Sequence, residues 1–277
     1  VEPELFRAAG ALEPEHFSSP ELGKVYALLR RRFQEGRSVQ LAALAGEAPV
    51  YVVHLSSAAG LAEVRKARAA GQRHFGVESC TQYLTLTEEA YSDPQEGLKA
   101  IMSPPLRTGA DCGALWSGLA DGSIDAVATD HCPFRFAVEK QCGAGDFTAC
   151  PNGAPGVEER LPVLYSEGVA KGRISLPQLV RLACTEPSRL YGLYPQKGTL
   201  QPGADADVVI LDPNGTRTLT QTELHSAADY TCYEGMELAG RIDLVLSHGE
   251  VIVQDNQFLG RKGAGRYLKR GRSCLAE

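Results

Sequence analysis

The chain has 277 residues, enough for one large domain or a domain with a smaller lobe. Hydrophobic residues make up 43% and charged residues 22%, which excludes a disordered chain and supports a packed core. The formal net charge of −6 argues against a nucleic-acid backbone as partner, and no apolar run reaches the length of a membrane span.

In chain order, Val1-Glu2-Pro3-Glu4 has no signal-peptide character and no initiator methionine, so the sequence is expected to begin inside a longer protein. Residues 21–47 have helical spacing at Leu22, Val25, Leu28, Leu29, Leu41 and Leu44, with Gly36 placed to break it. Residues 49–53 form a β-branched strand that ends at His54-Leu55-Ser56-Ser57. A helix over 60–70 and a strand over 74–78 follow, then a helix over 108–120 and a strand over 124–129 that ends at Asp130-His131. A loop rich in Gly, Cys and Pro covers 142–156, and helices are expected over 157–170 and 176–184. Strands alternating with helices predict βα units around a parallel sheet, with chemistry at the C-terminal strand ends. After Tyr194-Pro195 the texture becomes β-rich, with short runs at 198–200, 206–211, 243–247 and 249–253. The chain therefore divides into a βα region (1–195), a β lobe (196–260) and a basic tail (261–277) that reads as solvated or subunit-contacting. The eight cysteines form no C-x-x-C pair and read as thiols of a reducing, cytoplasmic compartment.

His54 and Asp130 each follow a buried strand, and both are ligand types for a divalent metal such as zinc. The bland alternative stays open: a satisfied histidine and an aspartate that caps a turn. His74 opens its strand and belongs to the opposite rim, while His131 points elsewhere or stands behind the ligands. His16, His225 and His248 read as structural. Two ligands fall short of the usual three plus water, so these residues alone do not complete a site. Two prolines fix the Met102–Arg107 loop, and Gly153 in the 151–156 loop permits close backbone approach to a ligand.

These residues sit in segments that resemble the dihydropyrimidinase/hydantoinase branch of the amidohydrolases. The segments include Val50-Tyr51-Val52-Val53-His54-Leu55-Ser56-Ser57, Glu78-Ser79-Cys80-Thr81-Gln82-Tyr83-Leu84 and Met102-Ser103-Pro104-Pro105-Leu106-Arg107. They continue with Thr129-Asp130-His131-Cys132-Pro133-Phe134, Pro151-Asn152-Gly153-Ala154-Pro155-Gly156 and, in the tail, Gly265-Arg266-Tyr267-Leu268-Lys269-Arg270. They follow one another in family order over nearly the whole chain. The resemblance implies an α/β fold: the last strands of a (β/α)8 barrel beside a small β-sandwich lobe. It implies two zinc ions bridged by a hydroxide and a carboxylated lysine that has no counterpart here. His54 and Asp130 fall on metal ligands, Asp130 on the residue that moves the proton, and Ser103 and Asn152 on residues that hold a cyclic ureide through backbone groups.

The implied reaction is zinc-dependent opening of dihydropyrimidines or hydantoins to N-carbamoyl amino acids by a homotetramer. The other implied ligands would lie before Val1, so the isolated chain is expected to be incomplete and inactive. Leu22 to Gln34 reads as an insertion relative to the family. Two competing readings remain: a non-enzymatic assembly protein like the collapsin-response-mediator proteins, and a related hydrolase such as allantoinase or dihydroorotase. Retention of His54 and Asp130 favours enzyme ancestry over the first.

Overall fold

The computed structural model describes residues 12–16, 20–37 and 49–276. Helix α1 (Pro20–Gln34) spans the residues read as an insertion and stops before Gly36, whose φ of 65° suits a residue without a Cβ. The continuation of the expected helix over 38–47 lies outside the described residues.

Strands β1 (Val50–Val52), β2 (Phe75–Cys80) and β3 (Ala126–Ala128) form one parallel sheet in the order β1-β2-β3. Val50 pairs with Phe75, and Glu78 pairs with Ala126. Helix α2 (Ala58–Ala69) links β1 to β2, and the Ser57 side chain accepts a hydrogen bond from Gly60 N at its start. A short helix, α3 (Thr81–Thr85), follows β2 directly. Helix α4 (Gly109–Ala120) leads to β3 and opens with a capping box between Thr108 and Asp111. Apolar residues at helical spacing, Leu61, Val64 and Ala67 on α2 and Leu115 and Leu119 on α4, are buried with Phe75, Val77 and Ile124. The two helices approach closely at Gly118, where a Cβ would sit 2.9 Å from Leu61. Burial of these side chains removes β2 from water on both faces, as in a parallel sheet covered by helices.

Beyond β3, helix α5 (Arg160–Leu164) continues as a π turn over Tyr165–Ala170. Helix α6 (Leu176–Val180) widens into a second π turn, Arg181–Thr185, before α7 (Glu186–Leu190). Pro187 cannot donate to the carbonyl four residues back, and the wider spacing falls just before it. The expected helix over 176–184 therefore runs on to 190, and the one over 157–170 begins three residues late.

The β-rich region is a four-stranded antiparallel sheet of β4 (Val208–Thr218), β5 (Glu237–Ser247), β6 (Glu250–Gln254) and β7 (Gln257–Phe258). Strand β4 passes through Pro213 because the register shifts between Asp212 and Thr216, which takes the proline out of the ladder. The expected run at 198–200 forms no strand. Gly198, at φ 81°, lies against Ser188 and the Cys184 carbonyl, and Leu200 is exposed. The two-residue hairpins His248-Gly249 and Asp255-Asn256 have positive φ throughout, the geometry that matches strand twist. The sheet rests on α5: Leu219, Tyr233 and Leu238 pack with Val163, and Ala239 N donates to Ser166 Oγ at 3.0 Å. The Leu12–Ala276 span contains, among the described residues, no helix long and apolar enough to cross a membrane.

Candidate functional site

His54 and Asp130 each stand two residues beyond a strand, β1 and β3, on either side of β2. Both have left-handed backbones, with φ of 54° and 49°. Neither lies in a hairpin turn that requires that conformation. Strained backbone of this kind collects where a side chain must be aimed. The aim is mutual: His54 Nε2 is 3.7 Å from Asp130 Oδ1, and both side chains are partly open to solvent.

The other face of the imidazole is buried. His54 Nδ1 is 3.4 Å from Glu78 Oε1 and 3.6 Å from Cys80 Sγ. Glu78 and Cys80 alternate along β2, so they share the sheet face that meets His54. Glu78 Oε2 accepts a hydrogen bond from Tyr51 Oη at 2.8 Å. Burial, reinforced by Glu78, pushes the Tyr51 hydroxyl well above its ordinary range, so it stays a donor. Burial also pushes the Cys80 thiol up, with Glu78 and Asp130 adding to the shift. The imidazole therefore divides two donor sets: Asp130 on the Nε2 side, and Glu78 with Cys80 on the Nδ1 side. The atoms of the second set lie within 4.8 Å of one another, close enough to share an ion.

Nδ1 meets the Cys80 thiol at hydrogen-bond distance and Glu78 at ion-pair distance; with the proton on Nδ1, the tautomer an acceptor-only carboxylate favours, Nε2 keeps a free lone pair. That leaves an imidazole nitrogen and a carboxylate oxygen 3.7 Å apart at an open edge. Two donors on one tetrahedral zinc, with bonds of about 2.0–2.1 Å, stand roughly 3.3 Å apart. The donor chemistry and the spacing both fit a divalent metal ion.

Ser103 and Asn152 come together on neighbouring loops: Ser103 Oγ donates to Asn152 Oδ1 at 3.2 Å. Their side chains engage each other, and among the described residues their backbone N–H and C=O groups have no protein partner. Both line a cleft of about 600 Å³ with Tyr91, Leu98 and Met102. A bridge between His131 and Ala154 joins the Asn152 loop to the segment that bears Asp130. His131 turns its Nδ1 to the Gly156 and Val157 N–H groups at 3.1 and 3.2 Å, so it shapes that loop. His74 precedes β2, at the end of the sheet opposite His54, and its carbonyl accepts from Val50 N. His225 pairs with Glu158 at 3.0 Å, and His248 lies beside Asp205 in the antiparallel region. All eight cysteines are free thiols.

Sequence reasoning missed Glu78, Tyr51 and Cys80. A charged residue inside the run Phe75-Gly76-Val77-Glu78-Ser79-Cys80 was a usable signal, because a carboxylate on a buried strand needs a partner.

Comparison with known proteins shows the family. The sequence profile of the amidohydrolase family matches residues 52–252. D-phenylhydantoinase of Escherichia coli O1:K1 is 50% identical over 234 residues, which cover 84% of this chain and 50% of that protein. The crystal structure of dihydropyrimidinase from Brevibacillus agri superposes with a TM-score of 0.81 at 39% identity, covering 98% of this chain and 57% of that one. D-hydantoinase from Bacillus sp. AR9 gives 0.80 at 42% identity, covering 97% and 57%. The chain thus spans about half the length of the curated relatives it matches. The profile covers most of the chain, both sheets recur in the solved relatives, and the chain belongs to the amidohydrolase family.

Proposed function

We propose that the protein carrying this chain hydrolyses the cyclic amide bond of hydantoins or 5,6-dihydropyrimidines, giving N-carbamoyl amino acids. The observation that carries this reading is the approach of His54 and Asp130 to 3.7 Å from the ends of two strands, in a chain half identical to D-phenylhydantoinase. In this reading the parallel sheet forms the last strands of a (β/α)8 barrel within residues 1–195. Residues 196–260 form a β-sandwich lobe, and 261–277 form a tail that reaches a neighbouring subunit of a tetramer. The free thiols suit a reducing compartment such as the cytoplasm.

His54 Nε2 and Asp130 would hold zinc, which would supply Lewis-acid activation of water and of the ring carbonyl. The chain's own residues supply the rest. Glu78 fixes the His54 ring, with Tyr51 holding Glu78 in turn. The backbone groups of Ser103 and Asn152 orient the ureide ring. Asp130 takes a proton from the attacking water and gives it to the ring nitrogen as the carbon–nitrogen bond breaks.

The test is Asp130→Asn in the whole protein, with release of N-carbamoyl product measured from hydantoin and dihydrouracil. A fall in rate of about 10²–10⁴-fold is expected for loss of a positioned acid/base group. Near-normal ring opening by this variant would overturn the role of Asp130. On the open Nε2 side, the two protein donors His54 and Asp130 are fewer than the usual three. The 277-residue chain alone is therefore predicted to retain little zinc after dialysis and to turn over no dihydrouracil.

A further inference from the structure

Lys140 is fully buried, with 0% of its surface exposed, yet no carboxylate lies within ion-pair distance of it among the described residues. Burying an ammonium without a counter-ion is costly, and the same burial holds the Lys140 pKa below the usual lysine range. The ammonium is nevertheless solvated by the protein. Nζ donates to the Ile101 carbonyl at 2.8 Å and to the Pro151 carbonyl at 2.9 Å, and it faces the Phe134 ring at 5.8 Å.

The two carbonyls belong to different loops. Ile101 is two residues from Ser103, and Pro151 immediately precedes Asn152. The loops are also tied by Gly153 N, which donates to the same Ile101 carbonyl at 3.0 Å. Lys140 itself sits on a third segment, a 3₁₀ turn over Lys140–Gly143, and Gly143 lines the same cleft as Ser103 and Asn152. One charge therefore fastens three pieces of chain around the cleft mouth. An apolar side chain would fill the space without the desolvation cost. The cost is met here by two charge-assisted hydrogen bonds, which also set the distance between the loops.

We propose that Lys140 is the positioning residue that holds the Ser103 and Asn152 loops at the spacing needed to grip a planar cyclic ureide. This rests on the reading above that these loops bind the substrate ring. It adds that their separation is set from behind, by an ammonium that never touches the ligand.

The test compares wild type, Lys140→Met and Lys140→Gln in the 277-residue chain. Met keeps the volume and removes both bonds, while Gln can keep one. Amide exchange at Gly153 is followed beside exchange at Leu55, whose N–H bonds Glu78 in the parallel sheet. Hydantoin is then titrated against the Ser103 and Asn152 amide signals. The proposal expects Gly153 exchange to quicken about fivefold to tenfold in the Met variant, less in the Gln variant, and not at all at Leu55. It expects hydantoin affinity to fall about tenfold in the Met variant. Unchanged exchange at Gly153 would overturn the proposal, as would equal acceleration at Gly153 and Leu55, which marks general loosening. Faster Gly153 exchange with unaltered hydantoin affinity would also overturn it. Failure of the wild type to bind hydantoin would count against the substrate reading, while the Gly153 result still decides whether Lys140 ties the loops. If Lys140→Met does not fold, Lys140→Gln alone is read against wild type, with the same signs at smaller amplitude.

Discussion

The two sheets of this chain use the same unusual backbone conformation for different ends. Among the described residues, five that are not glycine have positive φ: His54, Asp130, His248, Asp255 and Asn256. The last three sit in the two-residue hairpins of the antiparallel sheet, where the twist of the flanking strands demands that geometry. His54 and Asp130 follow strands of the parallel sheet, where no hairpin closes. In the antiparallel region the conformation serves the chain's path, and in the parallel region it aims two side chains at each other. Burial differs in the same sense. Phe75 and Val77 are almost wholly buried, whereas Val209 and Val251 are 41% and 38% exposed. A sheet covered on both faces leaves its strand ends as the place where polar groups can meet solvent and ligand.

The largest expected effects test this difference in burial. Leu119→Ala removes a fully buried side chain of α4 from the core cluster that includes Phe75 and Val77, and should cost about 2–5 kcal/mol in chemical denaturation. Val209→Ala on β4 should cost less than about 1 kcal/mol, because much of the side chain already meets water. Equal losses would erase the contrast between the two regions.

A smaller effect is expected at the buried face of His54. Glu78→Gln leaves the fold in place but no longer fixes the imidazole through an acceptor-only group. Zinc affinity should fall about 10- to 100-fold, as for other partners behind a metal-bound histidine. Unchanged affinity would reduce Glu78 to a structural partner of Tyr51.

The smallest effect separates the two uses of the left-handed backbone. Asp255→Gly and Asp130→Gly should each relieve strain, raising stability by up to about 1 kcal/mol. The first should leave ring opening in the whole protein intact, and the second should abolish it. Stability measured by denaturation beside product release distinguishes them. Loss of stability in Asp130→Gly would mean that the aspartate serves the fold first.

Much of the parallel region was legible because its strands are short apolar runs that stop at polar residues, and its helices carry Leu and Val at helical spacing. On those grounds His54 and Asp130 stood out only as candidates beside a structural alternative. The antiparallel strands were harder to delimit. Pro213 hides the continuation of β4, since the register shift that accommodates it depends on the partner strand. Gly240 similarly obscured the first half of β5, where the absence of a Cβ lets the strand pass close to Tyr165. The π turns at 165–170 and 181–185 leave no mark in a pattern of apolar spacing. Glu78, Tyr51 and Lys140 acquire meaning only from tertiary contacts: a hydroxyl on a neighbouring strand, an imidazole beyond a strand end, and carbonyls from two distant loops.

Metal chemistry at the two strand ends of the parallel sheet can be read by titrating zinc into the 277-residue chain while following the ring nitrogens of its histidines by NMR. The account predicts that His54 Nε2 responds first, even at weak affinity, that the response is lost in Asp130→Asn, and that His225 and His248 stay silent. A response at His225 or His248 with His54 unmoved, or a His54 response indifferent to Asp130→Asn, would contradict it.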